Sequence, residues 1–322
     1  MALFKKKQPI PAAIAELGEL NIMTTATKIK RSWRLWTFAF LAFLTVFVFS
    51  YLPMYGIIIA FQNFRPAHGF LGSQWVGLDH FERFVTSHHF WRLIRNTLAI
   101  NIYGLVAAFP IPIVLALAFN ELKEGRFKKV TQTVSYAPHF ISVVVFAGMI
   151  ISFTSNPMGL VNHLLTFFGA DPISFMQRPE LFRHIYVWTG IWQSAGWGTI
   201  IYLAALSGVD PTLHEAAIMD GATRLQRNWH INIPSILPTI VILLIMNVGG
   251  IMSTGFERIW LLQNPANRYT SDVIATYVFE VGVIQAQFSF GAAVGLFNAA
   301  VGAIMLITVN KITKKITEVG LW

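Results

Sequence analysis

The chain has 322 residues, of which 55% are hydrophobic and 12% charged, with a formal net charge of +9 and no cysteine. That balance is too apolar for the water-facing surface of one or two soluble domains. Without cysteine there are no disulfides or thiolate metal centres within the chain, and basic residues scattered over many segments, forming no single stripe, argue against a nucleic-acid role.

Residues 1–32 carry Lys5, Lys6, Lys7, Lys28, Lys30 and Arg31, with Glu16 and Glu19 inside "IAELGEL". A cleavable signal needs an uninterrupted apolar core, so this stretch is expected to be a cytoplasmic tail. Six runs free of Asp, Glu, Lys and Arg follow, at 36–61, 97–119, 130–153, 185–208, 235–256 and 290–309. Each has the length of about 20 residues that a bilayer core requires, which predicts an all-α membrane protein with six transmembrane helices over 33–318 and a short tail at 319–322. Pro53, Pro110, Pro112, Pro138 and Pro238 fall inside these runs, where neighbouring helices can satisfy the freed carbonyls. Most of the 24 basic residues lie at the two ends and in the second and fourth connections. Both termini are therefore expected on the cytoplasmic side of the membrane.

The first outer connection places Leu78, Phe81 and Phe84 at helical spacing, and the second contains "LVNHLLTFF", too short to cross and expected to be re-entrant or interfacial. Arg65, Arg83, Arg92, Arg178, Arg183, Arg258 and Arg268 all fall on the outer side. They suit an anionic cargo, lipid headgroups or a docked protein equally well. Trp33 and Trp36 sit at the inner edge of the first span, as belt residues do.

The fourth run is the most polar. Tyr186, Thr189, Gln193 and Trp197 recur at helical spacing along it, Asn247 lies in the fifth run and Asn298 in the sixth. Amides and hydroxyls beside aromatic planes suit a carbohydrate path, and the same residues serve equally as hydrogen-bonding glue between helices. Gly190, Gly196, Gly198, Gly249, Gly250, Gly291 and Gly295 favour close helix crossing. His139, beside Pro138, is the one ionisable side chain within the runs, which leaves little for a carrier driven by an ion gradient. No G-x-x-x-x-G-K-[ST] phosphate loop is present, so any ATP and Mg²⁺ must be held by a separate partner.

Between the fourth and fifth runs stands "DPTLHEAAIMDGATRLQRNWHINIP". His214-Glu215 begins like the H-E-x-x-H zinc helix, but position 218 is Ile, so no metal pair forms on one face. Asp210-Pro211 reads as a helix cap followed by proline at the first helical position. The helix should stop near Gly221, a second should run from Thr223 to Trp229, and Pro234 should then force a new direction. Such a knob is long for a connector, and two readings stand on physics alone: a surface built to be gripped by another protein, or a solvated loop.

Glu215, Ala216 and Ala217, then Asp220, Gly221 and Ala222, then Ile231, Pro234 and Pro238 resemble the EAA loop of binding-protein-dependent ABC importer permeases. "YLPMYGIIIAFQNF", "NELKEGRFKKVTQTVSYAPHFIS", "GFERIWLLQNP" and "VGLFNAAVGAIMLITVNKITKK" are similar to the branch that imports large, often acidic oligosaccharides such as alginate. Leu225 and Asn228 depart from it, standing where Trp and Phe are frequent. The resemblance implies a type I permease fold whose coupling loop, 210–234, docks on an ABC ATPase dimer. It also implies a second homologous permease, an extracytoplasmic solute-binding protein, contact with membrane lipid, and no catalysis by this chain. The rival from another class is a gradient-driven carrier or channel working without an ATPase.

Overall fold

The computed structural model describes residues 32–252, 255–317 and 320–321. Apart from Ser32 and residues 320–321, the two expected tails lie outside that range. The chain divides into two compact units at Ile58 and Ile59. In the first, helix α1 (Trp33–Val46) buries no side chain and leaves Leu35, Phe38, Phe40 and Phe43 exposed. A helix that is apolar all round and unburied is made for lipid or for another protein. A π turn, Phe47–Tyr51, follows, then a 3-10 stretch beginning at Leu52. Pro53 falls at this change of register, where the loss of its N–H is absorbed without breaking the helix.

The second unit opens with two short antiparallel strands, β1 (Gln62–Asn63) and β2 (Gln74–Trp75), with Gln62 opposite Trp75. Helix α2 (Asp79–Val85) buries Phe84 completely, while Leu78 sits just before the helix and is exposed. Then come α3 (Phe90–Ala108) and α4 (Pro110–Glu121), which together form one apolar run of 32 residues. Pro110 lies inside that run, where it removes the N–H that the Val106 carbonyl would otherwise accept, and the helix continues past it.

The third expected span is broken. Helix α5 (Arg126–Tyr136) passes through a 3-10 turn, Ala137–Phe140, and α6 (Val143–Phe153) restarts at an angle of 97°. The cause is local: Pro138 ends the α register, and the Ser142 hydroxyl caps α6 by accepting the Val145 amide. "LVNHLLTFF" becomes the short helix α7 (Leu160–Phe167), tied down by Asn162, which is fully buried and bonds the Ser155 and Ile173 backbone.

Helix α8 (Pro179–Leu206) has 28 residues and is therefore roughly 42 Å long. It packs against α3, α4 and α5, and it buries Phe182, Tyr186, Val187, Ile191, Ala195 and Tyr202. Thr189, Gln193 and three glycines occupy buried or half-buried positions on it, while Trp188, Trp192 and Ile201 stay exposed. At Gly196 an added Cβ would collide with the Ser135 carbonyl of α5, so the two backbones meet directly there.

After a connection described below come α11 (Ile233–Gly249), α12 (Phe256–Leu262), α13 (Arg268–Ser271), α14 (Ile274–Phe279) and α15 (Phe288–Thr317). The fifth span thus ends at Gly249 and turns at Gly250, short of the expected 256. Among the described residues four helical runs are long and apolar enough to cross a membrane, and the bent α5–α6 pair makes a fifth. The remaining expected span is α8, long enough but more polar. Gly282 and Gly291 touch Cα to Cα and bring the π turn Glu280–Ile284, which follows α14, against α15, whereas Gly295 has open space beside it.

The N-terminal end of α8 is held by a polar lattice. Asn96, fully buried, donates to the Tyr269 and Asp272 carbonyls at 2.9 and 3.0 Å and accepts from Arg183 at 2.8 Å. Arg92 pairs with the Asp272 carboxylate at 3.1 Å, and the Thr97 hydroxyl accepts the Ile274 amide. Asn267 donates to the Met176 and Leu262 carbonyls and accepts from Ser271.

Candidate functional site

At the opposite, C-terminal end of α8 the chain makes an elbow. Helix α9 (Pro211–Met219) begins with the Asp210 carboxylate accepting the Thr212 amide at 2.9 Å and with Pro211 in the first turn. That bond holds the Asp210 carboxyl below the ordinary carboxylate range. The far end of α9 closes in a Schellman motif. The Gly221 amide donates to the Ile218 carbonyl at 3.0 Å and the Ala222 amide to the Ala217 carbonyl at 2.9 Å. Gly221 has φ +78°, a conformation that costs an L-residue roughly 1–2 kcal/mol and glycine nothing.

Two residues later Thr223 caps α10 (Arg224–Arg227) in a capping box. The Gln226 amide donates to the Thr223 hydroxyl, and the Thr223 amide donates to Gln226 Oε1 at 2.8 Å. The corner is thus locked on both sides by local hydrogen bonds. Around it lies a concavity of about 310 Å³ lined by Ala217, Asp220, Gly221, Ala222, Gln226, Arg227, His230 and Ile231.

Two details depart from the sequence-based expectation. The second elbow helix proper ends at Arg227, and Pro234 forces no new direction. A π turn, Asn228–Asn232, carries α10 straight into α11, so 224–249 is a single helical run. The widened turn takes up the residue whose carbonyl Pro234 cannot serve. Elbow and fifth span therefore form one rod, while only Ser207, Gly208, Val209 and Asp210 separate the elbow from α8.

The elbow turns apolar groups outward. Ala216 is exposed, and Ile218, Met219, Leu225 and Trp229 are 54%, 86%, 78% and 66% exposed. Glu215 and Asp220 are exposed among them. Among the described residues one ion pair, Arg224 with Glu121 at 3.8 Å, reaches from the elbow to the rest of the fold.

The polar stripe on α8 is real in its spacing, but its members are engaged. The Thr189 hydroxyl donates to the Ile185 carbonyl one turn back. Gln193 donates to the Ile141 carbonyl at 3.1 Å, and Trp197 stacks on His139 with 4.7 Å between centroids. Gln193 and Trp197 thus brace the break in the third span. Trp188 and Trp192, on another face, bond Tyr103 and stack on Phe146. Asn247 is exposed and bonds its own helix, and Asn298 donates to the Met252 carbonyl while its Oδ1 is buried without a partner. Tyr186 is only 8% exposed, because the Arg258 guanidinium covers its ring at 3.8 Å from the centroid.

Arg258 is the member of this site that sequence reasoning did not connect to the stripe. Nothing in the spacing could do so, since it lies on α12, 72 residues from Tyr186 along the chain (258 − 186). The other arginines expected on the outer side divide differently. Arg92 and Arg183 belong to the lattice, Arg268 pairs with Glu280, and Arg83 donates to Gln287 while covering the Phe290 ring.

Comparison with known proteins agrees with this geometry. Residues 108–317 match the family described as the binding-protein-dependent transport system inner membrane component. The polygalacturonan/rhamnogalacturonan transport system permease protein YteP of Bacillus subtilis (strain 168) is 46% identical over 85% of this chain and 86% of its own length. Protein LplB of the same organism is 39% identical over the full length of both. Among solved structures, a bacterial ABC transporter involved in the import of the acidic polysaccharide alginate has a chain that superposes with a TM-score of 0.83 at 40% identity. That match covers 90% of this chain and 98% of the other. A bacterial alginate ABC transporter in complex with an alginate pentasaccharide-bound periplasmic protein gives 0.84 at 38%, covering 92% and 99%. An all-α membrane chain with this elbow and these relatives belongs to the family of binding-protein-dependent transport system inner membrane components.

Proposed function

We propose that this chain is one of two homologous permease subunits of an ATP-driven importer for acidic oligosaccharides, of which alginate fragments are an example. An ABC ATPase dimer, carrying ATP and Mg²⁺, grips the elbow from the cytoplasm, and both termini lie on that side. A solute-binding protein delivers cargo to the lattice end. The observation that carries this reading is the elbow: a corner locked by its own hydrogen bonds that leaves its apolar side chains bare, which suits a surface that another protein covers.

The mechanics follow from its attachments. Closure of the ATPase pair displaces α9; Gly221 and the capping box pass that displacement on without bending, and the rod 224–249 converts it into tilting of the fifth span. Alternation between inward-facing and outward-facing arrangements is then a rigid-body rocking of spans. Glu215, Ala216, Ala217, Asp220, Gly221 and Ala222 transmit force. Tyr186, Thr189, Gln193, Trp197, Asn247 and Asn298 line or brace the route of the sugar.

The test is reconstitution in vesicles of both permeases with the ATPase and the solute-binding protein, supplied with an acidic oligosaccharide. Uptake should require the ATPase and ATP. Gly221→Pro, which removes the Gly221 N–H and its positive φ, should abolish cargo-stimulated ATP hydrolysis while membrane insertion persists. Uptake by the permeases alone, driven by an ion gradient, would overturn the proposal in favour of a secondary carrier.

A further inference from the structure

The arginine that covers Tyr186 is held in an unusual way. Its guanidinium lies over the aromatic face and fills the space that a side chain at residue 190 would take. A Cβ on Gly190 would stand 2.5 and 2.7 Å from its two terminal nitrogens. Gly255, three residues before Arg258, approaches the Tyr186 hydroxyl so closely that its own Cβ would sit 3.0 Å away. The start of α12 is thus fitted to one turn of α8, and Arg258 is its point of contact.

Arg258 differs from its neighbours in what it lacks. Among the described residues its guanidinium has neither ion pair nor hydrogen bond, whereas Arg92 and Arg268 each have a carboxylate partner. Glu257, next to it, is exposed and makes no ion pair among the described residues. A guanidinium spread over a ring satisfies its face and leaves its N–H fork at the rim, pre-organised for two parallel bonds to a carboxylate. Half-buried in a bundle, such a cation attracts an anion more strongly than it would in water.

We infer that Arg258, seated on Tyr186 and Gly190, is a carboxylate-binding subsite for the uronate groups of the cargo. The inference rests on the proposed oligosaccharide import and assigns to one side chain the selection of acidic over neutral sugar. Tyr186 acts through Arg258, as its platform, and Gly190 as the gap that admits it.

Direct binding to the complete permease–ATPase complex in nanodiscs, without the solute-binding protein, tests this. The probes are a tri-uronide and the same trisaccharide with its carboxyl groups reduced to alcohols. The wild-type complex should prefer the uronide by about tenfold, as one charge-assisted bidentate contact gives. Arg258→Gln should bind the two alike, and Arg258→Lys should fall between. Gly190→Ala, which displaces only the flexible end of Arg258, should lose the preference while its thermal unfolding midpoint stays near wild type. Glu257→Gln should keep the full preference.

A tenfold preference surviving in Arg258→Gln would overturn the inference, and so would a wild-type complex that binds both probes alike. Vesicle uptake separates that failure from failure of the wider reading. Wild-type uptake of acidic oligosaccharide with an unaltered Arg258→Gln preference removes the subsite alone; absence of any ATP-dependent uptake removes the importer.

Discussion

The two ends of α8 solve opposite problems. At the N-terminal end, the buried polar groups Asn96, Thr97, Asn267 and Asp272 find partners far away in sequence. The bond from Asn96 to the Asp272 carbonyl alone closes a separation of 176 residues. At the C-terminal end, nearly every hydrogen bond of the elbow joins residues two to five apart. One end is stabilised by the tertiary fold and so secures it. The other keeps its shape by itself and leaves its surface to be covered by a partner.

This contrast makes ordered predictions. The largest effect belongs to Asp272→Ala, which removes the carboxylate partner of the Arg92 cation and one of the bonds of the Thr276 hydroxyl. A loss of about 3 kcal/mol is expected for breaking one side of such a pair, read as a marked fall in the unfolding midpoint of the solubilised protein. Asn96→Ala follows at about 2 kcal/mol, because two carbonyls and Arg183 lose a partner together. A small change at either site would dissolve the contrast.

On the elbow the order of effects reverses. Leu225→Ser should alter stability by no more than about 0.5 kcal/mol, since the side chain is already in solvent. In co-purification the same variant should retain the ATPase dimer several-fold less well. If Leu225→Ser instead unfolded the chain, the elbow would be part of the core and the comparison would fail.

Smaller still is the pH response of the α9 cap. Folding lowers the Asp210 pKa through the bond from the Thr212 amide, so the charged cap's contribution is full above the ordinary carboxylate pKa and is lost as pH falls below that value and through the lowered folded-state pKa. Amide hydrogen exchange at Thr212 and Leu213, relative to intrinsic rates, should speed up only in acid for wild type. In Asp210→Ala it should be fast throughout. Glu121→Gln should hardly register in unfolding experiments, because its 3.8 Å contact is with a largely exposed Arg224 that water can serve instead.

What could be read from the sequence divides along the same line. The elbow was legible because the Asp210-Pro211 cap and a positive-φ glycine are local chemistry, written within a dozen residues, whereas the Thr223–Gln226 box emerged only with the structure. Its continuation through Pro234 was not, since a π turn leaves no pattern in residue types. The break in the third span had its signals, Pro138 and Ser142, but the apolar run through them outweighed a proline that membrane helices often tolerate. The lattice was illegible in principle: Asn96 and Arg183 are ordinary polar residues until the fold brings them to 2.8 Å. Arg258 was visible as one of several outer arginines, and only packing against Tyr186 and Gly190 set it apart.

The absence of cysteine offers a direct test of the central claim that the elbow is seated in a partner. Single cysteines placed at Ala216 and Ile218, paired with a cysteine in the ATPase surface, should cross-link in the assembled complex and be shielded from maleimide there, while remaining reactive in the isolated permease. Equal labelling with and without the ATPase, and no cross-link at either position, would contradict the account.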